Sequence, residues 1–81
     1  MQKYHVEVFG WRRGMRQITI TKLLAHGGGL GLSAAKHTTD HVLKGDSVRV
    51  MMPSREAAES LAAALREAGA ESRVGIEAPA A

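Results

Sequence analysis

The segment Gly29-Leu30-Gly31-Leu32-Ser33-Ala34-Ala35-Lys36, with Gly27 and Gly28 just ahead of it, constrains the fold of this chain more than any other stretch. Closely spaced glycines let the backbone enter φ > 0 without a Cβ clash, so a tight reversal is available here. Leu30 and Leu32, set between and after them, are bulky enough to anchor that reversal in a core. The chain before this point reads as a strand and a further element leading into the turn. The chain after it reads as a helix, a strand, a third helix and a last strand.

Taken in order, Tyr4, Val6 and Val8 alternate with His5 and Glu7, the period of a half-buried strand. Phe9 to Gly14 reads as a loop framed by glycines. Arg16 to His26 is open on local grounds. Ile18-Thr19-Ile20-Thr21 is β-branched and alternating, which favours a strand. Met15, Ile18, Ile20, Leu23 and Leu24 also contain helical i+3 and i+4 pairs, and the glycines after His26 would end a helix. Leu32 to about His41 reads as a short helix, Lys44-Gly45-Asp46 as a turn, and Ser47 to Met52 as a strand with Val48, Val50 and Met52 on one face. Ser54 is a natural N-cap for Arg55 to Ala68, where Ala58, Leu61, Ala62, Leu65 and Ala68 share a helical face and Arg55 can pair with Glu59. Gly69 marks its stop, Ser72 to Glu77 reads as a final strand, and residues 79–81 as a frayed tail after a domain spanning 1–78. The expected fold is therefore α+β, in the order β-α-α-β-α-β, with helices on one face of a three-stranded antiparallel sheet.

Composition narrows the functional classes. A chain of 81 residues makes one domain with a small core. It contains no cysteine, which excludes disulfides, thiolate chemistry and cysteine-ligated metals. There is no apolar run long enough for a transmembrane helix, and Met1 to Glu7 lacks the apolar segment of a secretory signal. These features lead us to expect a complete, cytoplasmic gene product. Residues 1–53 carry eight Lys and Arg against three acidic side chains, whereas residues 54–81 carry three against five. The basic half favours an acidic partner by steering encounter, although a solvated surface would look the same.

Few motifs carry chemistry. His37 and His41 stand i,i+4 with Asp40 alongside, but lack a convincing third ligand. Gly27 to Gly31 is followed by neither Gly-Lys-Ser nor Gly-Lys-Thr, so it reads as an inter-helix turn rather than a phosphate loop. Serines and histidines show no catalytic spacing, so no enzyme, cofactor or metal is expected. Trp11-Arg12-Arg13 is the most suggestive surface, because Trp and Arg dominate interface hot spots and guanidinium groups grip anions bidentately. The plain alternative is that Trp11 covers the end of the core and the arginines are merely solvated. A nucleic-acid interface could use Arg16, Lys22 and Lys36, but aromatic residues are only 4% of the chain and offer no stacking platform.

Two resemblances add to this reading. Gly29 to Lys36 resembles the Gly-Leu-Gly-Leu-x-x-Ala-Lys segment of the C-terminal domain of the bacterial ribosomal large-subunit stalk protein. Leu65 to Glu71 is similar to that domain's last helix and exit. Met52 to Glu59 resembles the entry into the last helix of the Clp-protease adaptor ClpS, whose length also fits. The two families share one fold, and the resemblance implies helix for residues 16–26. In the stalk domain the first two helices present lysines and small apolar groups to translation GTPases. Lys22 and Lys36 match two such lysines and Leu32 an apolar contact, while Gln17 and Ser33 stand where other lysines are usual. The stalk protein's dimerisation domain and hinge have no counterpart in the sequence, so identity with it is not expected. In ClpS an Asn-Asp-Asp stretch helps hold a free α-amino group; Trp11, Arg12 and Arg13 stand there instead, and a cationic amine would be repelled. The supporting histidine falls on Leu43 or Lys44, so N-degron recognition is not expected.

The functional expectation is a non-enzymatic protein-binding module or adaptor. It would present Trp11, Arg12, Arg13, Arg16, Lys22, Leu32 and Lys36 to another protein's acidic surface, a translation GTPase or a Clp ATPase by analogy. An RNA-binding domain and an oligomerising scaffold subunit are the alternatives.

Overall fold

The computed structural model describes residues 3–77; the tail expected at 79–81 lies outside the described residues. The elements are β1 (Lys3–Trp11), α1 (Gln17–His26), α2 (Leu32–Leu43), β2 (Val48–Met52), α3 (Arg55–Glu67) and β3 (Ala70–Glu77). This is the α+β order expected from the sequence. The three strands form an antiparallel sheet in the order β2-β1-β3, so the first strand is the central one.

Alternation along the strands divides the sheet into two faces. Val6 and Val8 of β1, Val50 and Met52 of β2, and Ala70 of β3 turn toward the helices and are buried. All three helices close on that face in one core, through Ile20 and Leu24 of α1, Ala35 and Val42 of α2, and Ala58, Leu61, Ala62 and Leu65 of α3. Among the described residues no helix covers the opposite face, which carries Glu7, Arg49, Arg73 and Glu77, held in ion pairs such as Arg73–Glu7 at 2.6 Å.

Local rules account for most of the elements. The Ser54 hydroxyl accepts from the Ala57 amide at 3.1 Å, capping α3, and Arg55 pairs with Glu59 at 3.2 Å. Gly31, at φ 78°, takes the backbone into α2 through a region that side-chain-bearing residues avoid. The β-branched run in α1 is helical despite its propensity. Burial of Ile20 and Leu24 and tertiary bonds of Thr21 override a preference worth only tenths of a kcal/mol per residue.

Three boundaries differ from the expectation by two residues or more. Phe9, Gly10 and Trp11 belong to β1 rather than to a loop, β3 begins at Ala70 rather than Ser72, and α2 runs on to Leu43. A bulge between Val8 and Gly10 allows the first two, shifting the register so that Gly10 lies opposite Glu71 and Trp11 opposite Ala70. The ladder then continues past the strand, with the Arg12 amide donating to the Gly69 carbonyl at 2.8 Å.

Candidate functional site

The residues singled out in the sequence fall into two places. Lys22, Leu32 and Lys36 come together along a groove of about 260 Å³ between α1 and α2. The short glycine turn keeps the two helices in contact, and the groove takes Gln17 to Lys22 from α1 and a stripe from Leu32 to Asp40 from α2. Leu32, the first residue of α2, is 68% exposed, and Ile18 on α1, lining the same groove, is 73% exposed. Lys22 and Lys36 form no ion pair among the described residues, and Asp40 is the one acidic group in the lining. The Thr21 and Thr39 hydroxyls, 2.9 Å apart, join the two helices; Thr39 is buried. Each also lies within hydrogen-bond distance of the carbonyl four residues back, Gln17 for Thr21 and Ala35 for Thr39. The two hydroxyl protons can fill two of these three contacts at a time, so neither hydroxyl has a spare donor. The groove therefore offers apolar surface between two cations over a tied floor.

Arg12, Arg13 and Arg16 gather elsewhere, at the C-terminal end of α3. Arg12 donates through Nη2 to the Arg66 carbonyl, and Arg16 through Nη2 to the Glu67 carbonyl at 3.4 Å. The Arg16 amide donates to the Ala68 carbonyl at 3.0 Å. The last carbonyls of a helix have no partners within it and carry the negative end of its dipole, so two guanidinium groups cap α3 here. Arg13 has no ion pair or hydrogen bond among the described residues. Trp11 ends β1 on the helix side of the sheet, opposite Ala70, and is 45% exposed.

Sequence reasoning missed Ile18 as a surface residue, and it missed the capping role of Arg12 and Arg16. The signal for Ile18 was present. Once α1 is a helix buried through Ile20 and Leu24, a residue two positions before Ile20 points about 200° away from it. Of the histidine pair, His41 lies 3.1 Å from Asp46 through Nδ1, and the side chains of His41 and Asp46 are both more than half exposed. Among the described residues no three His, Asp or Glu side chains cluster in a way that could hold a metal, and no helix is long and apolar enough to cross a membrane. No family model, curated protein or solved structure matches this chain.

Proposed function

We propose that this protein is a docking module that receives an apolar, acid-flanked segment of a partner protein in the groove between α1 and α2. One observation carries the reading: Ile18 and Leu32 are exposed at 73% and 68% in one groove, flanked by Lys22 and Lys36. Two large aliphatic groups kept in water at one place gain free energy only when something covers them, about 25 cal/mol per Å² of apolar area. The lysines supply attraction and orientation for an acidic partner. Arg13 and Arg16 precede α1 in the chain and add to the positive charge of this half of the molecule, and Trp11 is a further exposed aromatic group. The resemblance of Gly29 to Lys36 to the ribosomal stalk domain makes a translation GTPase the first partner to examine, with a Clp ATPase second. The role is binding rather than catalysis.

The test is a titration of each purified candidate partner with the wild type, with Ile18→Asp and with Lys22→Glu/Lys36→Glu. Folding of each variant is checked by circular dichroism. We expect binding by the wild type, loss of at least about tenfold in affinity for Ile18→Asp, and a comparable loss for the lysine reversals. Binding that both variants leave unchanged would place the interface elsewhere and overturn the groove as the site.

A further inference from the structure

A three-stranded antiparallel sheet exposes two edges, and here they are β2 and β3. The β2 edge is short, five residues, and is followed at once by Pro53. The β3 edge runs for eight residues with no proline and no lysine, the usual devices that discourage pairing with another chain.

Hydrogen-bond parity identifies which backbone groups of β3 are open. The Gly69 carbonyl accepts from the Arg12 amide, so Gly69 faces β1. Alternation then turns the amides and carbonyls of Glu71, Arg73, Gly75 and Glu77 toward β1, and those of Ser72, Val74 and Ile76 toward the edge. An independent contact agrees: the Ser72 carbonyl is reached by Arg66 Nη1 at 3.3 Å, from outside the ladder. Arg66 thereby blocks the first part of the edge and leaves the Val74 to Ile76 part open. Ile76 is 52% exposed in that part.

We propose that β3 pairs antiparallel with β3 of a second copy of this chain, about a two-fold axis through Gly75, giving a continuous six-stranded sheet. In this register Val74 faces Ile76 of the second copy and Ile76 faces Val74, and these outward-facing residues exchange four backbone hydrogen bonds in all. Arg73 faces Glu77 of the second copy, and Glu77 faces Arg73, so both charge pairs are complementary. Centring the axis one residue earlier, on Val74, would set Glu71 against Glu77 twice and oppose Ser72 to Ile76. Gly75 at the axis has no side chain of its own, and the His5 ring of the same copy occupies that space. The docking groove is formed by α1 and α2, whereas β3 packs on β1 and α3, so this inference does not rest on the proposed function.

The experiment is sedimentation equilibrium of the full chain from about 10 μM to about 1 mM, the range suited to a small interface. The wild type should move from the monomer mass of 8.7 kDa toward twice that value. Arg73→Glu and Glu77→Arg should each weaken the dimer by about tenfold or more, since each sets like charges opposite one another twice. An equimolar mixture of these two variants should restore it as a heterodimer, visible in native mass spectrometry. Ile76→Asp, which disturbs no internal ion pair, should give the same loss, and Ile18→Asp should give none. A monomer at every concentration would overturn the proposal. So would dimers indifferent to the single reversals, a mixture that fails to re-form the dimer, or loss of the dimer in Ile18→Asp.

Discussion

His5 lies on the face of the sheet that has no helices, where a side chain would ordinarily be wet, yet it is 8% exposed. Its ring lies over Gly75, its cross-strand neighbour on β3, so closely that a Cβ at Gly75 would fall well inside contact distance of Nε2 and Cε1. Its Nδ1 sits 3.2 Å from Glu77 Oε1 but out of line for a hydrogen bond, leaving a buried nitrogen without one. Gly75→Ala should destabilise the fold by about 1–3 kcal/mol, the usual cost of overpacking. In a His5→Ala background the same substitution should become neutral or stabilising, because relieving the clash leaves only the entropy gain of replacing glycine. Denaturant titration of the four proteins measures that sign change. Arg12 makes a second residue-scale case. The sequence offered it as a solvated or partner-seeking side chain, and nothing local indicated that a carbonyl of Arg66, fifty-four positions away, would take it. Arg12→Ala should therefore lower stability by about 1 kcal/mol through loss of the cap on α3, whereas Arg13→Ala should be silent. A charge reversal at Arg12 thus perturbs the fold as well as the surface.

At the scale of elements, α1 shows how much was legible and where legibility ended. Its helical state could not be decided from Ile18-Thr19-Ile20-Thr21, because the deciding interactions are the Ile20 and Leu24 contacts with the core and the Thr21–Thr39 contact with α2. By contrast α3 was readable almost to the residue, since its cap, its i,i+4 pair and its alanine-rich face are all local signals. The end of β1 was misread because a bulge leaves no trace in hydrophobic alternation. Of the candidate site, the two lysines and Leu32 came from the sequence, and Ile18 and the threonine floor came from the packing of α1 on α2. Ile18 also yields a prediction. It occupies the first turn of a helix that has no acidic residue there, so Ile18→Asp should complement the dipole and raise stability by about 0.5 kcal/mol. The same change should abolish docking. A thermal melt beside a binding titration separates the two effects, and opposite signs would mark Ile18 as a residue held for function against stability.

On the scale of the whole molecule, charge is distributed so that residues 1–53 are strongly basic and the α3–β3 portion mildly acidic. An acidic partner should be steered to the α1–α2 side. Raising salt from about 50 to about 500 mM should slow association several-fold while changing dissociation much less, as stopped-flow kinetics would record. An equal effect on both rates would point to short-range ion pairs instead of steering.

The central place of β1 also bears on how the protein comes to be folded. Both its partners lie far along the chain, with Tyr4 paired to Met52 of β2 on one side and Lys3 to Glu77 of β3 on the other. β1 therefore cannot be fully paired until Glu77 has been synthesised. The contact of α1 with α2, by contrast, is local. During synthesis the helical pair can form while β1 still has unpaired flanks, and closure of the long loop to β3 should set the refolding rate. A nascent chain arrested before residue 70 would carry the α1–α2 groove on a sheet lacking β3.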